Sequence, residues 1–191
     1  MASKTRDKLI EVARQLFAHK GVAHTTMNDI ASASSKGRRT IYTYFRNKKE
    51  IYDAVLEQES ERLVNSLREV VAMDAPVDKR LRLFMRLRFE RYMMTSGSAT
   101  LKSRISFDSR RIAKIRLLAR DKEIEIVRTL MDEGCKQGIF NPERCKLVEG
   151  FICFSTSAIG FHNIDAGAEK DLEKAYDDFV EFLVRGVMIE K

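Results

Sequence analysis

The stretch TTMNDIASASSKGRRTIYTYFRNKKE, residues 25–50, decides how the chain folds. It opens with Thr26-Met27-Asn28-Asp29, a capping-box variant in which the Thr26 hydroxyl can accept an amide of the first turn and Asp29 sits near the positive helix end. A short helix burying Met27, Ile30 and Ala31 follows and stops near Ser34-Ser35-Lys36-Gly37. A third helix then runs from Arg38 to Phe45, with Ile41 and Phe45 at i, i+4 on its inner face. Two short helices joined by about four residues, the second with a basic outer face, have helix-turn-helix spacing.

A recognition helix needs apolar residues to hold it from behind, long donors near its start to reach base edges, and neutral or basic flanks for phosphates. Arg38 to Tyr44 meets these requirements. Arg38, Arg39, Thr40 and Thr43 are the expected groove-facing residues, because arginine pairs best with guanine and threonine can meet a thymine methyl. Thr25, Tyr42, Tyr44 and Lys48 are expected at phosphates, which set register without reading sequence.

Upstream, Leu9, Ile10, Ala13, Leu16 and Phe17 recur at helical spacing until His19-Lys20-Gly21 closes a first helix. Downstream, Asn47-Lys48-Lys49-Glu50 caps a long fourth helix that Asp74-Ala75-Pro76 interrupts, and that links two parts of the molecule. Leu81 to Met93 traces another helix, Leu101 to Phe107 a shorter one, and Ile112 to Gln137 a long one closed by Gly138. Asn141-Pro142 has the residue types of N-cap and N1 of the next helix. Gly150 to Asn163 has no Asp, Glu, Lys or Arg and reads as a buried helix with small residues for close approach. Leu172 to Met188 closes the chain with Tyr176, Phe179 and Phe182 expected on one apolar side. No strand-like alternation of useful length occurs, so the fold is read as all-α.

Charge is unevenly placed along the 191 residues. Residues 1–50 carry eleven Lys/Arg against four Asp/Glu, a surplus of +7, whereas residues 51–191 carry 24 of each. That remainder is blocky, at −5 over 51–78, +11 over 79–122 and −6 over 123–191. A basic N-terminal segment suggests a polyanion partner, most often nucleic acid. The arginines of the +11 block are read mainly as an outer helix face balancing the acidic fourth helix. A sharper reading places an anionic, amphipathic effector with its chain among Phe84, Phe89, Tyr92 and Met131 and its head group at arginines between 80 and 116.

Cys135, Cys145 and Cys153 match no zinc or redox spacing and read as reduced, half-buried thiols. His19, His24 and His162 are too scattered for a metal cluster. With no phosphate loop, nucleophile elbow or zinc-protease helix, no catalytic residue, metal or cofactor is expected. No stretch reaches the length of a spanning helix and no leader pattern precedes the first helix, so a cytoplasmic chain without membrane partners is expected.

Asp29-Ile30-Ala31, Thr40-Ile41-Tyr42-Thr43-Tyr44-Phe45 and Asn47-Lys48-Lys49-Glu50 together resemble the TetR-type transcriptional regulators, over residues up to about 55. The resemblance implies an N-terminal three-helix helix-turn-helix DNA-binding domain, residues 1–47, and a larger helical ligand-binding and dimerisation domain, residues 48–191. It further implies a homodimer through the last two helices that binds double-stranded operator DNA, and repression relieved by a small molecule. The alternative is a nucleic-acid architectural protein without sequence preference. The turn departs from the family pattern: Ser35 stands for the usual glycine, Lys36 for a valine-like residue and Gly37 for a serine cap. A buried lysine would be costly, so Lys36 is expected to turn toward solvent or DNA in a reshaped turn.

Overall fold

The computed structural model describes residues 2–96, 109–158 and 169–189. Eight helices occur among them: α1 (Ala2–Lys20), α2 (Met27–Ala33), α3 (Arg38–Tyr44), α4 (Lys48–Val71), α5 (Val77–Ser96), α6 (Ser109–Lys136), α7 (Lys146–Ala158) and α8 (Glu169–Val187). No strand forms among the described residues, and the one extended pairing is an isolated antiparallel bridge between Phe140 and Met188. The expected all-α fold is therefore what the chain adopts. The segment Leu101 to Phe107 and His162 lie outside the described residues.

The described residues form two compact units, one built on residues 2–60 with 109–115 and the other on 61–96 and 116–189. In the first, Leu9, Ile10, Ala13 and Phe17 of α1 meet Ile30 and Ala31 of α2, Ile41 of α3 and Phe45. The core continues past residue 47, because Ile51, Tyr52, Ala54 and Val55 of α4 are buried in it. Tyr52 sets its ring edge-on to Phe17 at 5.9 Å. The first turns of α4 are thus part of the first core, which extends beyond the expected boundary at 47.

In the second unit, Val64, Leu67 and Val70 of α4 share a core with Leu81, Phe84 and Met85 of α5, Val127, Leu130 and Met131 of α6, Val148 and Ile152 of α7, and Val180, Val184 and Val187 of α8. Helix α6 ends as the sequence predicts. Gly138 takes φ 67°, its N–H donates to the Cys135 carbonyl and the next N–H to the Gly134 carbonyl, a Schellman pair that satisfies two terminal carbonyls. Gly134 is needed for a separate reason, since a Cβ there would fall 2.1 Å from the ring of the buried Phe140. Asn141 caps a turn rather than a helix: its side-chain oxygen accepts from the Glu143 N–H at 2.9 Å, and α7 begins only at Lys146.

Helix α7 holds residues 150–158 of the run expected to form a buried charge-free helix, and the single chain covers one side of it. Val148 and Ile152 are inside, whereas Leu147 is exposed and Phe154 is 71% exposed. Likewise Phe182 of α8, expected on one apolar side together with Leu183, is 74% exposed while Leu183 beside it is buried. Neighbouring residues of a helix point about 100° apart, and a run without charges does not say which side finds a partner within the chain.

Four arginines of α5 pair with acids of the same unit. Arg80 bonds Glu133, Arg82 bonds Asp78 at 2.7 Å and Glu181 at 2.8 Å, Arg86 bonds Glu90 at 3.2 Å, and Arg88 bonds Glu123 at 2.5 Å. These carboxylates come from α5, α6 and α8, where the sequence reading looked to the fourth helix. Arg88 and Glu123 are both buried, so each charge depends on the other for solvation.

Candidate nucleic-acid interface

The first unit presents α3 on a support made by α2 and the turn before it. The capping box at Thr26 forms as expected, with the Asp29 N–H donating to the Thr26 hydroxyl at 3.1 Å and the Thr26 N–H donating to the Asp29 carboxylate at 2.8 Å. The Thr26 N–H and the Thr26 hydroxyl, which donates to the same carboxylate oxygen at 2.9 Å, hold the Asp29 carboxyl below its usual range. Helix α2 ends in a second Schellman pair, Lys36 N–H to the Ala31 carbonyl at 3.0 Å and Ser35 N–H to the Ser32 carbonyl at 3.1 Å. Ser35 occupies the left-handed position of that motif at φ 56°.

This geometry answers the departure noted in the sequence. The turn is not reshaped: Ser35 adopts the backbone a glycine would, at the cost of placing its Cβ near a carbonyl. Lys36 is exposed, as expected. Gly37 is the N-cap of α3, and its carbonyl accepts the Thr40 N–H at 2.9 Å, so α3 opens at Arg38.

Within α3, Ile41 is fully buried and Phe45, the C-cap, is nearly so, which fixes the helix from behind. Arg38, Arg39, Tyr42 and Thr43 are exposed, and Thr40 and Tyr44 are half-buried. The Arg38 guanidinium lies over the Tyr42 ring, 5.8 Å from its centre, a cation–π contact that limits the arginine's freedom at the surface. The Thr43 hydroxyl donates to the Arg39 carbonyl at 3.1 Å. The structure thus brings Lys36, Arg38, Arg39, Thr40, Tyr42, Thr43 and Tyr44 into one segment held by the buried Ile41 and Phe45.

Two expected phosphate contacts do not join that segment. Thr25 is fully buried, and its hydroxyl donates to the Gly21 carbonyl at 2.8 Å, so the side chain closes the α1–α2 connection. Lys48 is half-buried, and its ammonium donates to the carbonyls of Val22 at 2.7 Å, Thr25 at 2.9 Å and Ala23 at 3.3 Å. An ammonium has three N–H donors, and here three carbonyls take them. In this structure both side chains hold the α1–α2 connection.

One cation escaped the sequence reading. Arg6 of α1 is exposed and lies over the Phe45 ring at 5.3 Å, which adds a guanidinium where α3 ends. Its only signal in the sequence is membership of the basic first fifty residues.

The residues expected around an effector are placed as follows. Phe84 and Met131 are buried in the second core, Phe89 stacks on Tyr176 with ring centres 4.0 Å apart, and the Tyr92 side chain lies outside the described residues. Tyr176 donates its hydroxyl to the Met85 carbonyl at 2.7 Å, and burial pushes its ionisation above the usual phenol range. A groove of about 430 Å³ on the second unit is lined instead by Lys79, Arg82, Leu83, Arg86, Asp177, Val180 and Glu181.

Residues 9–55 match the family described as bacterial regulatory proteins, tetR family. Over 70 residues the chain is 43% identical to the "Probable acrEF/envCD operon repressor" of Escherichia coli K12, which is 37% of this chain and 30% of that protein. Over 56 residues it is 43% identical to the "HTH-type transcriptional regulator TtgR" of Pseudomonas putida, 29% of this chain and 27% of that one. The matches thus span about a third or less of these relatives' own length. A crystal structure of a transcriptional regulator from Cytophaga hutchinsonii superposes over 95% of this chain and 97% of its own with a TM-score of 0.80, at 22% identity, a likeness of fold. This match falls on the helix-turn-helix whose caps, anchors and exposed face are described above, so over residues 9–55 the chain is similar to the bacterial regulatory proteins of the tetR family.

Proposed function

We propose that the protein is a sequence-specific transcriptional regulator of the repressor type, which binds operator DNA as a homodimer and is released when a small molecule enters the second unit. The observation that carries this reading is the exposed row of Arg38, Arg39, Tyr42 and Thr43 on a helix pinned by Ile41 and Phe45. Arg38 and Arg39 read bases, Thr40 and Thr43 add methyl and hydroxyl contacts, and Lys36, Tyr42, Tyr44 and Arg6 hold phosphates. Names of the relatives, a repressor and a transcriptional regulator, agree with it.

The dimer face in this reading is the outward side of α7 and α8, where Leu147, Phe154 and Phe182 are exposed. Among the described residues Arg80, Arg82, Arg86 and Arg88 are each engaged by a carboxylate, so an acidic head group meeting one of these four would have to displace its partner, whereas a neutral apolar molecule would not. Residues Phe84, Phe89, Tyr92 and Met131 stay in the reading as the apolar surroundings of such a molecule. No catalytic role is assigned.

Selection of bound duplexes from a random pool tests the reading, followed by titration of the selected and a scrambled duplex. Arg38→Ala and Arg39→Ala should each cost about 1–3 kcal/mol on the selected duplex and relax preference at one position per half-site. Selection that enriches no sequence, with equal affinity for both duplexes, would replace this reading with the architectural one.

A further inference from the structure

Cys135 and Cys145 are ten residues apart in sequence and 3.4 Å apart at their sulfur atoms. Cys135 lies in the last turn of α6, and Cys145 is the residue immediately before α7. The chain between them is held by its own backbone: the Ile139 N–H donates to the Gly134 carbonyl at 2.9 Å and the Cys145 N–H to the Asn141 carbonyl at 3.2 Å. The same connection is tied to the end of α8, through Asn141 N–H to the Val187 carbonyl at 2.7 Å and Ile189 N–H to the Ile139 carbonyl at 2.9 Å. Both thiols are half-buried against the second core. The two sulfurs are therefore kept together by folded structure.

Two neighbouring thiols can be joined by oxidation or can share a soft metal. A stable tetrahedral metal site needs about four ligands. Among the described residues no group of three or more His, Cys, Asp or Glu is arranged to hold an ion. A disulfide needs only the pair, with sulfurs brought to about 2.05 Å.

We infer that Cys135 and Cys145 are a modification site, a dithiol that a low-molecular-weight disulfide such as oxidised glutathione converts to an intrachain disulfide. One protein thiolate attacks a sulfur of the external disulfide, forming a mixed disulfide and expelling one glutathione thiolate. The second protein thiol loses its proton and attacks the protein sulfur of that mixed disulfide, which expels the other glutathione. One disulfide is broken and one formed, two electrons pass from the protein to the oxidant, and the two thiol protons end on two glutathione molecules. Burial, with Cys135 alongside, pushes the Cys145 thiol up to about 12, so thiolate is scarce at neutral pH and closure is slow there. The product bridges the end of α6 to the start of α7 and closes a short loop, which restricts the unfolded chain.

The full chain, incubated with oxidised glutathione at neutral and at alkaline pH and digested with trypsin without reduction, tests the site. Cleavage after Arg128, Lys136, Arg144 and Lys146 separates residues 129–136 from the dipeptide Cys145-Lys146 unless the disulfide joins them. The expected result is the joined pair, an intact mass lower by two hydrogens, faster formation at higher pH, and a thermal midpoint raised by several degrees. Cys153→Ser should behave the same, whereas Cys135→Ser and Cys145→Ser should stop at a single glutathione adduct on the remaining partner. Wild-type chains that accumulate glutathione adducts without the joined peptides, or that join Cys153 instead, would overturn the inference.

Discussion

The Lys48 ammonium donates to the Val22 carbonyl at 2.7 Å, across 26 residues of sequence, and so ties the start of α4 to the connection between α1 and α2. With Thr25 and Ala23 as its other acceptors, the same group finishes the backbone of that connection. Lys48→Met should therefore lower stability by about 1–3 kcal/mol, because up to three partly buried carbonyls lose a charged donor. Urea unfolding measures it. An unchanged midpoint together with equal weakening on every duplex would return Lys48 to a phosphate.

Ser35 is where the turn before α3 departs from the residue its backbone favours. A left-handed non-glycine residue costs about 1–2 kcal/mol. Glycine there would give back about 0.5–1 kcal/mol through the freer unfolded chain. Ser35→Gly should accordingly raise stability by about 0.5–1 kcal/mol and leave the recognition helix in register, which thermal unfolding and duplex titration check together. A lower midpoint would mean that the serine hydroxyl supports the turn.

Acid should weaken the second unit through Glu181. Hydrogen bonds from Arg82 and then Arg185 hold its carboxyl at about 2 against an ordinary 4.5. A carboxyl depressed on folding stabilises above its unfolded value, and that stability is lost as pH falls from about 4.5 through about 2. Glu133, lowered by Arg80, and Glu149, lowered by Arg128, act in the same direction. Urea midpoints measured across that interval should fall for the wild type and fall less for Glu181→Gln, with the difference shrinking in high salt because the group is exposed. Parallel curves for the two proteins would remove Glu181 from the account.

Assembly can be tested on residues whose exposure is known. Phe154→Arg and Phe182→Arg place a charge at positions exposed in the single chain, so folding should be little changed. At a dimer face the same charges would be buried without partners, and sedimentation should show monomers that release operator. Variants that remain dimeric would move the interface away from α7 and α8.

What the sequence determined by itself is what acts within about one turn of chain. The capping box at Thr26 and Asp29, the Ile41 and Phe45 anchors, the opening of α3 after Gly37 and the stop at Gly138 all rest on local hydrogen bonds, helical spacing and backbone preference. Tertiary structure alone decided what depends on residues far along the chain. Thr25 and Lys48 turned inward because the carbonyls of the α1–α2 connection lay within reach. Cys135 and Cys145 met because Gly138 and Asn141 fold the connection back on itself. Phe154 and Phe182 stayed outside because only one face of each helix met the core, and helical spacing marks an apolar residue without naming what covers it. The α5 arginines found α6 and α8 for the same reason: charge counted along a chain gives its sign, and packing chooses the partner.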